Sequence, residues 1–210
     1  MTTETIDEHE LKLRLPDEAA AIRLAALLGT PRIVLEQCNT YFDSHEGTIA
    51  ASGKMMIRVR SCESRYEVTI KDQAIIDREQ GSISSRERNS KLSVIQGESV
   101  ISGGKALTTL DHELCRQLFK ESGEHLFAVG QIQNTRQVYD LPDNYVLELD
   151  RSVLPNGQVE FEIEVELRSE THSLAEARQR VERLLSQIGI TDLEPSLPKY
   201  HRFLAALNNP

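Results

Sequence analysis

Glu160-Phe161-Glu162-Ile163-Glu164-Val165-Glu166 constrains the fold more than any other stretch, because extended backbone puts its four carboxylates on one face and its apolar side chains on the other. A helix would scatter both sets. The same alternation returns in Glu8-His9-Glu10-Leu11-Lys12, Arg58-Val59-Arg60, Thr69-Ile70-Lys71 and Glu148-Leu149-Asp150. A half-solvated sheet accounts for any one of these strands. It does not account for the set. Four carboxylates along one strand face repel each other, a repulsion that bound cations relieve, and the basic strands are segregated from the acidic ones.

Proline and glycine signals divide the chain. A first strand is predicted over Asp7 to Leu15. Pro16-Asp17 then opens a helix that ends at Gly29. Val34 to Phe42 reads as a second strand, with a turn over Asp43 to Gly47. Met55 to Arg60 and Tyr66 to Lys71 form a hairpin, and a weaker strand follows at Ile83 to Arg88. A helical excursion over about 91–122 includes a helix from Thr109 to Glu121. Ala128 to Asp140, Tyr145 to Asp150 and Val159 to Leu167 form an antiparallel meander. Ser173 caps a helix whose stripe is Leu174, Ala177, Val181, Leu184, Leu185 and Ile188. Pro198 before Lys199 predicts a tail that approaches the sheet extended.

Closing such a sheet with its charged face inward gives an α+β protein: an antiparallel β-barrel with a polar lumen and helices packed on the outside. The strands are too short for an outer-membrane barrel, and residues Met1 to Asp7 carry no export signal. No apolar run approaches the roughly 20 residues of a spanning helix. The 210 residues suit one domain. A net charge of −9 argues against broad contact with a nucleic-acid backbone. A soluble cytoplasmic protein with neither nucleic acid nor membrane as partner is expected. Cys38, Cys62 and Cys115 are odd in number and far apart, so reduced thiols are expected. An apolar helix stripe serves intrachain packing or a homodimer equally.

A ligand for this lumen must be strongly anionic to satisfy the arginines and lysines, and must arrive with a divalent metal to suit the carboxylates. Polyphosphates meet both conditions. Hard oxygen donors without paired His or Cys favour Mg²⁺ or Mn²⁺. His9 falls on the apolar face and is not counted among the ligands. With no tryptophan and ten Phe plus Tyr, the composition offers no obvious stacking platform, which favours a small inorganic substrate.

These residues resemble the CYTH domain proteins, or triphosphate tunnel metalloenzymes. The likeness runs through Glu8-x-Glu10-x-Lys12, Tyr41-Phe42-Asp43, Arg58-Val59-Arg60, Thr69-Ile70-Lys71, Asn134-Thr135-Arg136, Leu149-Asp150, the Glu162 to Glu166 strand and Lys199-x-x-Arg202. The resemblance implies a single tunnel domain over 1–210, with eight antiparallel strands. It further implies a divalent-metal-dependent hydrolase of triphosphate compounds, with inorganic triphosphate as the preferred substrate. A thiamine triphosphatase, a class IV-type adenylate cyclase and a non-catalytic polyphosphate-binding module are the alternatives. Carried over by position, Glu8, Glu10, Asp150, Glu162 and Glu164 are the metal carboxylates, with Glu148 as helper. Lys12, Arg58, Arg60, Lys71, Arg136, Lys199 and Arg202 grip phosphate, and Glu8, Glu10, Lys12 and Lys71 are the catalytic set. One departure stands out: where many members place a glutamate two residues after an arginine, this chain has Arg86-Glu87-Arg88. That implies a shifted strand or an altered metal site.

Overall fold

The computed structural model describes residues 3–167 and 172–208. Eight long strands are β1 (Glu4–Leu15), β2 (Ile33–Asp43), β3 (Met55–Cys62), β4 (Arg65–Asp77), β5 (Ser82–Leu92), β6 (Phe127–Asp140), β7 (Val146–Val153) and β8 (Val159–Glu166). They pair antiparallel in the order β5-β4-β3-β2-β6-β7-β8-β1, and β1 pairs with β5 to close an eight-stranded barrel. A two-residue strand, β9 (Glu194–Pro195), adds to β1 at Leu13 and Arg14.

Period-two alternation turns the polar faces inward, so the apolar cores lie outside the barrel. One core joins β1, β7 and β8 to α1 (Glu18–Leu28) and α5 (Leu174–Gln187). Asp17 caps α1 by accepting from Ala20 N at 2.7 Å, and Ser173 caps α5 by accepting from Glu176 N at 3.1 Å. Every apolar residue of the predicted α5 stripe packs in this core. A second core joins β3, β4 and β5 to α3 (Val94–Ile101) and α4 (Glu113–Ser122), and a smaller third gathers Tyr41, Ile132 and Leu154 with Tyr200, Phe203 and Ala206 near the end of the described chain. α3 begins with a reciprocal capping box between Ser93 and Gln96.

Four expectations change. The strands are not short: β1, β2, β4, β5 and β6 run 11 to 14 residues. Strand length therefore does not by itself set this barrel apart from a membrane one, and it is the helices packed on the apolar outer face that do. The helix predicted over Thr109 to Glu121 is split into a single turn at Leu107–Thr109 and α4, because Leu110 leaves the helix to bury itself in the core. The weakly patterned strand is a full strand, β5, and is the one that closes the barrel. Its period was obscured because Arg88, on the outer face, is buried against Glu121 (2.8 and 2.9 Å) and Asp72 (3.3 Å). The tail is not extended at Lys199: it forms α6 (Lys199–Asn208). Proline restricts the residue before it, Leu197, and is itself compatible with a helix start, where its carbonyl accepts from His201 N and Arg202 N. A short helix unforeseen in the sequence, α2 (Thr48–Ser52), follows β2. No helix among the described residues is long and apolar enough to cross a membrane.

Candidate active site

The inward faces enclose a cavity of about 610 Å³ lined by Glu8, Glu10 and Lys12 of β1, Arg58 and Arg60 of β3, Lys71 of β4, Arg136 of β6, Glu164 of β8 and Lys199 of α6. Asp150, Glu162 and Arg202 do not line it. Asp150 is 0% and Glu162 1% exposed. They lie behind Lys199 and Arg136, joined to the cavity wall through ion pairs.

The expected metal carboxylates fall into two groups. Oxygens of Asp150, Glu162 and Glu164 approach within 4.8 Å of one another. Lys199 Nζ meets all three, at 2.7 Å from Asp150 and 2.5 Å from Glu164, with Glu162 also paired. Arg136 reaches Asp150 at 2.6 Å and Glu164 at 2.5 Å and also pairs with Glu148. Lys12 bonds Glu164 at 2.5 Å. Glu8 and Glu10 stand apart from this cluster. Glu8 pairs with Lys71 and accepts from Ser85 at 3.2 Å, and Glu10 lies 3.3 Å from Lys12.

The charge pattern sets the protonation states. Burial pushes Glu10 up to about 7, only partly opposed by Lys12, and burial likewise raises Glu148 to about 7 against Arg136. For Asp150 burial is outweighed by Arg136 and Lys199, which hold it at about 2. Glu164 is held well below the carboxylate range in spite of burial, by Lys12, Lys199 and Arg136. Burial also opposes the Lys12 ammonium, yet Glu10 and Glu164 push its pKa well above the usual lysine range. Arg60 moves the other way: burial and the neighbouring Arg58 and Arg136 lower it to about 10.

Arg60 donates to Asn39 Oδ1 at 3.0 Å and makes no ion pair among the described residues. Arg58 has a carboxylate only at 3.6 Å, Glu87. Two guanidinium groups thus converge on the cavity with little to neutralise them. Arg202 is instead taken up by Glu160 and Glu162, the latter at 2.5 Å, away from the cavity.

Sequence reasoning passed over Glu87. It is buried, lines the cavity between Ser85 and Asn89, lies 3.2 Å from Lys71, and is held at about 2 because Lys71 and Arg58 outweigh burial. Arg86 and Arg88 occupy the outer register, and Glu87 the inner one. Counting period two from Ser85 to Asn89 finds this carboxylate. Ser196 was also missed; its hydroxyl donates to Glu162 at 2.8 Å. Aromatic rings do reach the cavity wall, though buried against one another. Tyr41 and Tyr200 line the cavity with ring centroids 5.3 Å apart, and Phe203 lies 4.4 Å from Tyr41.

A closed antiparallel barrel with charged side chains of both signs converging on its lumen defines a tunnel-type barrel. The CYTH domain profile matches residues 7–194, and the chain belongs to this family. A candidate adenylyl cyclase from Hippeastrum, whose structure is described as revealing a dominant triphosphatase activity, is similar at 24% identity and TM-score 0.82, covering 94% of this chain and 95% of that one. A candidate adenylate cyclase from Bacillus halodurans is similar at 20% identity and TM-score 0.75, covering 95% and 98%. The PH1012 protein from Pyrococcus horikoshii is similar at 21% identity and TM-score 0.54, covering 90% and 96%. A comparison with curated proteins returned no match.

Proposed function

We propose that the protein is a divalent-metal-dependent triphosphatase, with inorganic triphosphate hydrolysed to diphosphate and phosphate as its reaction. The supporting observation is the weakly neutralised pair Arg58 and Arg60 facing a cavity whose opposite wall carries buried carboxylates. A polyanion satisfies the first wall. A hard cation suits the oxygen donors of the second, and the cluster of Asp150, Glu162 and Glu164 has the donor chemistry of a Mg²⁺ or Mn²⁺ site. Such an ion supplies Lewis-acid polarisation of a phosphoryl oxygen and a water of lowered pKa.

The side chains do the rest by position and charge. Arg58, Arg60 and Lys71 hold phosphate oxygens and stabilise charge on the departing diphosphate. Lys12 and Arg136 bridge the two walls, so phosphate oxygens that reach them also approach the carboxylates. Glu8 orients Lys71 through their ion pair. Glu8 and Glu10 lie on the cavity side, where a second cation would be held.

A second reading, an organic triphosphate as substrate, is favoured by a cavity within the volume range of sites for drug-sized ligands. Phosphate release from inorganic triphosphate, ATP and thiamine triphosphate, each with Mg²⁺, Mn²⁺ or chelator, decides among them. Metal-dependent release from inorganic triphosphate above the other two is expected. Cyclic AMP from ATP would replace the reading with a cyclase. Tight triphosphate binding without turnover would leave a binding module.

A further inference from the structure

Lys199 stands apart from the other cations on the acidic cluster. Lys12 and Arg136 belong to strands locked in the barrel ladder, whereas Lys199 is the first residue of α6, delivered by the segment after β9. That segment is fastened next to the cluster: Ser196 N donates to Lys12 O at 3.0 Å, and its hydroxyl holds Glu162. The Lys199 ammonium sits at the common point of Asp150, Glu162 and Glu164. Asp150 and Glu162 are sealed from the cavity while Lys199 lines it. An ion coming from the tunnel therefore meets Lys199 before it meets two of the three carboxylates.

Charge leads to the same conclusion. Asp150, Glu162 and Glu164 already face four cations, Lys12, Arg136, Lys199 and Arg202. A divalent ion added to that neutralised set would leave excess positive charge out of water, which is strongly unfavourable. Expelling one cation relieves it. Lys199 and Arg202 are the two carried on α6 and not on a barrel strand, and of these Lys199 lines the cavity, so its long side chain can swing into the cavity, where a phosphate oxygen would receive it.

We infer that Lys199 is a displaceable counter-ion: a divalent cation entering the Asp150, Glu162 and Glu164 cluster takes its place, and an oxyanion in the tunnel takes up the released ammonium. Metal and anion then strengthen each other's binding through one side chain, and the coupling is reciprocal. This inference rests on the metal-dependent reading above.

The test is Mn²⁺ binding to the chelator-stripped full chain, followed by electron paramagnetic resonance, with and without sulfate as an oxyanion that cannot be hydrolysed. Lys199→Met is expected to bind Mn²⁺ about tenfold more tightly than the parent when sulfate is absent. Sulfate is expected to tighten Mn²⁺ binding in the parent and to leave Lys199→Met unchanged. Equal affinities with an equal sulfate response would overturn the Lys199 inference and leave the metal site standing. Absence of Mn²⁺ binding in both proteins would overturn the inference together with the metal-dependent reading. Circular dichroism establishes that the variant is folded. Should it not fold, the sulfate response of the parent decides alone, since its absence also overturns the inference.

Discussion

The two walls of the tunnel hold opposite charges in opposite ways. On the acidic wall of β7 and β8, Asp150, Glu162 and Glu164 are each met by cations within 2.7 Å, and Glu160 by Arg202. On the basic wall of β3 and β4, Arg60 has no ion-pair partner among the described residues and Arg58 has one only at 3.6 Å. The acidic wall is therefore part of what holds the protein together, while the basic wall keeps its capacity for a ligand. A buried charge network must be internally satisfied to persist, and an incompletely satisfied one is available for binding.

The largest expected effect falls on the acidic wall. Glu164→Ala leaves Lys12, Lys199 and Arg136 facing one another, and stability should drop by about 3–5 kcal/mol in chemical denaturation. A loss below about 1 kcal/mol would erase the distinction between the walls. Arg60→Ala should behave in the complementary way. Its kcat/KM for triphosphate should fall about 10²- to 10³-fold with the unfolding midpoint little changed, because no ion pair is broken. A fall in stability as large as that of Glu164→Ala would show the basic wall to be structural too.

Proton linkage sharpens the contrast. Glu10, faced by Lys12, Glu164, Glu8 and Lys71, is raised from 4.5 to about 7, so between those values the folded chain holds a proton that the unfolded chain has released. The stability this provides is complete below pH 4.5 and is lost as pH rises through about 7. Asp150 and Glu87, held at about 2, act in the reverse sense: their contribution is present above about 4 and is lost as pH falls toward 2. Melting of the chelator-treated protein should therefore decline from pH 5 to pH 8, and Glu10→Gln should flatten that slope in part, Glu148 retaining its share. An unchanged slope would remove Glu10 from this role.

Smaller effects lie at the margins. A β-carbon at Gly130, whose φ is 156°, would stand 2.9 Å from the ring of Phe203 and push against α6. Gly130→Ala should cost about 1–3 kcal/mol, and it should weaken the acidic wall, which α6 serves through Lys199 and Arg202, more than the basic one. Arg88→Met should leave turnover unchanged, since Arg88 belongs to the outer register; a large loss would return it to the site.

Much of the barrel was legible in the chain. Glu162 to Glu166 and Arg58 to Arg60 carry period two without interruption, and Asp17 and Ser173 are local caps whose hydrogen bonds lie within three residues. β5 was faint because Arg88 makes its outer face as polar as its inner one, its partner Glu121 being supplied by a distant helix. The same masking hid Glu87. Leu110 broke a helix for the sake of a core that the local sequence does not contain.

The sequence by itself determined which residues share a face, because that depends only on the two-residue repeat of extended backbone. It also determined that both signs of charge would be turned inward. Only the tertiary structure decided which charges meet. Barrel closure through β1 and β5, and the return of the chain end as α6, set Lys199 among three carboxylates and Arg202 on a fourth, while Arg58 and Arg60 were left to the cavity. Those pairings join residues far apart along the chain, and Coulomb interactions act through space, not along sequence.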